Sequence, residues 1–319
     1  PMTMKIAVLG AGSLGCAMGG VLAEGGNEVT LINRNRALVD AINTEGLLLQ
    51  SAHATRRVWP RAALDCSALQ PVDLVIVLVK SFHTEAAIAG AKPLIGEQTA
   101  VLSLQNGLGH EDILAAAVGR ARVMAGKTYV GGQLTGLGEV IAGTVGKQTI
   151  IGELDAPGSE RATRIADTFT RAGLHTTVSP HILSTIWDKL LVNVATGALS
   201  GITRLPYGGL YSLPELEQCA VAAVTEGMAV AKAHGVPISF TDPKEPWLKA
   251  GAGLPAEFKA SMLQSLEKGS ITEIDYINGA VVRWGERVGV PTPVNRALVA
   301  AIKGIELSLT YRPQDLQSR

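Results

Sequence analysis

Cysteine is scarce: Cys16, Cys66 and Cys219 are the only three in 319 residues. An odd count without metal-ligand spacing gives neither a disulfide framework nor a zinc knuckle, and it fits a reducing, cytoplasmic setting. Aromatic residues make up only 4% and do not cluster, so no stacking surface for nucleic-acid bases is expected. Neither charge sign is in excess: 28 Lys plus Arg balance 28 Asp plus Glu. That excludes the overall basic footprint of nucleic-acid or anionic-membrane binders. Uninterrupted apolar runs stay well short of the roughly 18 residues of a membrane span. The N-terminus enters a strand without the ordered regions of a signal peptide. The histidines, His53, His83, His110, His175, His181 and His234, are scattered, and no metal is expected.

What is abundant is apolar content, at 47%, and glycine, with 36 residues. The first excludes disorder and the second implies many tight turns. Strand-like and helix-like segments alternate through the first half: strands at Lys5–Leu9, Glu28–Ile32, 73–79 and 100–104, and helices at 14–24 and 37–43. Alternation of this kind builds βαβ units and a parallel sheet. Three β-like runs between 122 and 153 read as an antiparallel or mixed extension of that sheet, followed by a helix at 159–172 and a strand at 174–178. Beyond Pro180 the spacing is helical, at 181–202, 214–234, 255–268, 272–288 and 294–310. The expectation is an α/β protein with a Rossmann dinucleotide-binding domain over 1–179 and an all-helical domain over 180–319.

Gly10-Ala11-Gly12-Ser13-Leu14-Gly15 is G-x-G-x-x-G between a strand and a helix. There the glycines permit a tight turn, close approach to a pyrophosphate and close helix–strand packing, and the helix N-terminus offers N–H donors. The second strand ends in Asn33-Arg34-Asn35-Arg36. It lacks the acidic residue that binds a ribose 2′-hydroxyl, and the arginines suit a 2′-phosphate, so NADP(H) is favoured over NAD; the alternative is that both are solvated charges at a helix start. Lys80 ends a buried strand on the edge that faces ligand in such sheets, near the cofactor phosphates, unless it is an ordinary strand-end lysine.

Asn106, in LQNGLG, lies at another strand end and is read either as a turn residue or as a group for substrate and nicotinamide. Lys189 and Asn193 are spaced i, i+4 on one helix face. A lysine in so apolar a helix either snorkels or serves a polar site as a proton donor. Ser270-Ile271-Thr272-Glu273 fits a capping box, so Glu273 reads as a helix cap or as a site carboxylate. Ser261 means little alone.

Together these segments resemble the ketopantoate reductases (2-dehydropantoate 2-reductases) along nearly the whole chain: GAGSLG, the strand-end VK with Lys80, LQNGLG, IWDKLLVN, TEIDYING and the closing GVPTPVN. The resemblance implies a 6-phosphogluconate dehydrogenase-like helical domain. It also implies NADPH-dependent reduction of a 2-keto acid to a D-2-hydroxy acid in pantothenate biosynthesis. By resemblance, Lys189 is the general acid, Glu273 supports it, and Asn106, Asn193 and Ser261 hold substrate. Gly10, Gly12, Ser13, Leu14, Gly15, Arg34, Lys80 and Asn106 bind the cofactor. The expected partners are the keto acid and, in a candidate homodimer, a second copy of the chain, with no nucleic acid or membrane. One departure concerns substrate: family members carry a further asparagine and a proline where this chain has Gly197 and Ala198. Three rivals are a related enzyme acting on another 2-keto or 2-hydroxy acid, an opine-type dehydrogenase, and a non-enzymatic NADP sensor.

Overall fold

The computed structural model describes residues 3–52 and 54–314; His53, which received no role, lies outside them. The chain divides into two compact units, Pro1–Thr185 and Ile186–Arg319.

In the first unit, β1 (Lys5–Leu9), β2 (Glu28–Ile32), β5 (Arg61–Ala63), β6 (Leu74–Val77), β7 (Ala100–Ser103), β8 (Val123–Thr128), β11 (Thr149–Glu153) and β12 (Thr176–Val178) form one sheet. Its order is β12-β11-β8-β7-β6-β1-β2-β5. Strands β1, β2, β5, β6, β7 and β8 run parallel, with β11 antiparallel to β8 and β12 parallel to β11. Side chains alternate between the sheet's faces, which sorts its apolar residues into two cores. Ile6, Val8, Leu74, Ile76 and Leu102 pack with α1 (Ser13–Glu24) and α5 (Glu160–Ala172). Ala7, Leu9, Val75, Val77 and Val101 pack with α3 (Thr84–Ala89) and α4 (His110–Val118). Both faces of β6 are therefore covered, and LVIV is apolar throughout. Burying each such side chain stabilises the fold by about 1.5–3 kcal/mol.

Strands β3 (Leu47–Ser51), β4 (Ala54–Val58) and β5 were not foreseen, and only β8 and β11 extend the main sheet. The glycine-rich hairpin β9 (Gly131–Gly136) and β10 (Glu139–Gly143) joins β3 and β4 in a second, four-stranded sheet of order β4-β3-β10-β9. Leu47, Leu49, Val140 and Ala142 alternate with less buried residues and cover α1. That period-two pattern belongs to a sheet buried on one face, not to an extension buried on two.

The second unit holds most of α6 (Ile182–Thr203), followed by α7 (Tyr207–Leu210), α8 (Pro214–Ala233), α9 (Glu245–Gly251), α10 (Ser261–Glu267), α11 (Asn278–Val288) and α12 (Pro293–Thr310). No strand occurs in it among the described residues. Helix α9 was not foreseen, and the helix expected over 255–268 begins only at Ser261. Phe258 O and Ala256 O accept from the N–H groups of Tyr207 and Gly208, so this segment caps α7 and is itself closed only into a turn, by Phe258 N donating to Pro255 O. Helix α6 is long and apolar enough, by length and composition, to cross a membrane. The count of uninterrupted runs missed this because Asp188, Lys189 and Asn193 break them. Trp187, Leu190, Leu191 and Val194 of α6 are buried, as a core helix requires.

Candidate active site

The turn from β1 into α1 is shaped by three glycines that play three different parts. Gly10 has φ +86°, and a Cβ there would stand 2.5 Å from Val79 N. Gly15 would bring a Cβ to 2.7 Å from Gly10 O. A Cβ on Gly12 would meet nothing within 4 Å. The first glycine thus permits the turn, the third permits the packing, and the second leaves an open approach to the backbone. Helix α1 has no side-chain N-cap and no acidic residue in its first turn. Its leading N–H groups and positive dipole end suit an anion such as a pyrophosphate. The residues present therefore fit a dinucleotide.

Asn33 braces this turn: its Nδ2 donates to Ala11 O at 2.8 Å, and its Oδ1 accepts from Asn35 N at 2.8 Å. Asn35 in turn caps α2 (Arg36–Glu45) by accepting from Leu38 N. A cleft of about 420 Å³ is bounded by Gly10, Gly12, Asn33, Arg34 and Lys80. Arg34 and Lys80 are exposed, and no acidic side chain forms a salt bridge with either among the described residues. Ser13, Leu14 and Gly15 form the adjoining first turn of α1. Sequence reasoning missed Asn33, Asp65, Cys66 and His83 on this cleft. Asp65 and Cys66 follow the unforeseen β5, so no local signal pointed to them. Asp65 Oδ1 accepts from Ser67 N and Ser67 Oγ, which hold its carboxyl below the usual range. Burial pushes the Cys66 thiol up to about 11, so it is not a thiolate at neutral pH.

Asn106 does not line that cleft; it is exposed just beyond β7, next to the β6 end that carries Lys80. In the second unit, Trp187 packs edge-on against Trp284 at 5.6 Å, and Asp188 accepts from Ser239 N at 2.9 Å. These contacts hold the α6 turn on which Lys189 is half-buried, with Asn193 half-buried one turn on. Ser261 is exposed and opens α10. Its neighbour Met262 places Cε 3.6 Å from where a Gly197 Cβ would stand, so α10 adjoins this stretch of α6.

Glu273 is half-buried and does not close a capping box. Ser270 N donates to Ser265 O, and Gly269 N, at φ +71°, to Leu266 O. These two bonds are a Schellman motif that ends α10. Ser270 therefore finishes one helix instead of starting the next, and α11 begins five residues after Glu273, at Asn278.

A doubly wound sheet, an open glycine cradle at its carboxyl edge and a following helical unit define a nicotinamide-dinucleotide oxidoreductase. The family model "Ketopantoate reductase PanE/ApbA" matches residues 6–156, and its C-terminal counterpart matches 181–306. The chain belongs to the ketopantoate reductase family. It is 34% identical to a 2-dehydropantoate 2-reductase of Halobacterium salinarum, over 94% of this chain and 98% of that one. Among solved structures, a PanE/ApbA family ketopantoate reductase from Ralstonia eutropha superposes with a TM-score of 0.86 at 35% identity, covering 97% of this chain and 100% of the other. A D-mandelate dehydrogenase with NADH and anilino(oxo)acetate also gives 0.86, at 30% identity and the same coverage.

Proposed function

We propose that the chain reduces 2-dehydropantoate to a D-2-hydroxy acid with NADPH. The observation that carries this reading is the cleft where open Gly12 lies beside Arg34 and Lys80. In the proposed roles, Gly10, Gly12, Ser13, Leu14 and Gly15 hold the pyrophosphate, and Arg34 and Lys80 hold the 2′-phosphate. When bound, the nicotinamide supplies a hydride for the keto carbon. Lys189 stabilises the negative charge that develops on the keto oxygen and gives that oxygen a proton. Glu273 keeps Lys189 charged and oriented, while Asn106, Asn193 and Ser261 position the substrate. A cytoplasmic homodimer is the proposed working form.

The substrate side chain is the point most exposed to test. Met262 Cε stands 3.6 Å from where a Gly197 Cβ would be, so an apolar methyl borders the position at which the family resemblance calls for an asparagine. We expect activity on ketopantoate, with weaker discrimination against 3-methyl-2-oxobutanoate, which lacks its hydroxyl, than an asparagine would give. The deciding experiment measures kcat/KM over a panel of 2-keto acids, together with Kd for NADPH and NADH. A charge-assisted phosphate contact is worth about 1.5–3 kcal/mol, so NADPH should bind at least about tenfold more tightly. Lys189→Ala should lose on the order of 10²–10⁴ in kcat while NADPH binding stays unchanged. Equal cofactor affinities, or a fully active Lys189→Ala enzyme, would overturn the corresponding assignment. NADH preference would point to the chemistry of the mandelate enzyme.

A further inference from the structure

We propose that a buried hydrogen-bond latch of Ser81, Thr84, Gln105 and His110 sets the spacing of the loops that carry Lys80 and Asn106. Cofactor grip and placement of the reacting end are thereby coupled within one unit. The proposal rests on the roles given above to Lys80 and Asn106.

Strands β6 and β7 are parallel neighbours, and their shared ladder closes with Leu104 N donating to Val77 O at 3.2 Å. Beyond it the chains run on as two loops with no strand pairing, so side chains must set their separation. Gln105 spends its whole amide on this. Nε2 donates to Val79 O at 3.0 Å and to Thr84 Oγ1 at 2.7 Å, and Oε1 accepts from Ser103 Oγ at 2.9 Å. The Thr84 hydroxyl passes the chain on by donating to Ser81 O at 2.7 Å. Ser81 Oγ then meets His110 Nε2 at 2.7 Å. The loop bearing Lys80 is therefore gripped on both sides of Lys80, at Val79 and at Ser81. The grips come from both ends of the other loop, and Asn106 directly follows one of them.

Ser81, Thr84 and His110 are at most 1% exposed. A Ser–His pair at this distance has the spacing of an activated nucleophile, yet burial leaves no route for a substrate, so its role is positional. A buried network is costly when half-made, because each broken bond strands a desolvated partner. The latch therefore behaves as closed or open, without graded slack.

Thr84→Val tests it, because valine keeps the shape and removes the hydroxyl; Thr84→Ser keeps the hydroxyl. The readouts are amide hydrogen exchange, Kd for NADPH by fluorescence, and kcat. For Thr84→Val we expect faster exchange in both 78–84 and 104–110, although only one segment is altered. Kd should rise and kcat should fall by at least about fivefold each, the fold-change for one net hydrogen bond. Thr84→Ser should restore all three. Faster exchange confined to the altered loop overturns the latch. Faster exchange in both loops with parental Kd and kcat upholds the latch and overturns the roles given to Lys80 and Asn106. Ser81→Ala repeats the test from the other half should Thr84→Val fail to fold.

Discussion

Gly10 and Gly12 sit two residues apart, yet alanine should fail at them in different ways. At Gly10 it would add a clash with Val79 N to a left-handed backbone, so Gly10→Ala should lower the melting temperature sharply. Gly12→Ala has room and should melt like the parent, while its methyl obstructs the pyrophosphate approach and raises Kd for NADPH. Native affinity in a folded Gly12→Ala protein would remove that residue from the cofactor site. Glu111, near the start of α4, offers a pH test. Burial pushes its pKa up, and its Oε2 accepts from Gly109 N at 3.0 Å. Because the folded pKa is raised, the stability linked to its proton is fully present below the ordinary carboxylate range and is lost as pH rises through the raised value. Glu111→Gln keeps the acceptor without the charge, so its melting temperature should gain on the parent between pH 4 and pH 8. Parallel melting curves across that range would show that Glu111 titrates normally. The glycine cradle was legible in the sequence because its chemistry needs consecutive residues. The latch was not, since its partners lie 21 and 29 positions apart.

At the level of elements, the centre of the parallel sheet was legible because β1, β6 and β7 are largely apolar runs between turn signals, and β1 and β2 were placed at their observed bounds; the short edge strand β5, Arg-Ala-Ala, carries no such pattern. The second sheet was not, because β9, GGQLTG, is half glycine with a single apolar side chain and pairs through β10 with a distant partner, β3. The start of α11 was misplaced because S-x-x-E is only a local pattern, and the Schellman ending of α10 claimed Ser270 first. That outcome separates the two readings of Glu273. With no box to close, and with glutamine keeping the shape and an acceptor oxygen of the side chain, Glu273→Gln should melt close to the parent. Its kcat should fall. Loss of stability with full turnover would return Glu273 to a structural role. The motif GVPTPVN, noticed for its resemblance, has a packing function in the structure. Glu226 of α8 accepts from Val294 N and Asn295 N at the start of α12, and Asn295 also accepts from Asn278 of α11. Three helices are tied there by one buried amide.

Taken whole, a chain of zero formal charge still gathers cations where its first unit would meet phosphates. Overall balance gives no basic footprint across the whole molecule, yet leaves room for a local anion site. The helix that opens at Ser13 begins without a capping side chain, and this bears on how long the protein survives. A ligand that completes that helix end stabilises only the folded chain, by about 2.7 kcal/mol at a hundredfold excess over Kd. The melting temperature should therefore climb with the logarithm of NADPH concentration. A flat response would mean that the helix end gains nothing from the cofactor. Proteases act on the transiently opened chain, whose population follows the same free energy. In a cell short of the dinucleotide the idle enzyme would be cleared faster, so its abundance would track the pool of its own cofactor.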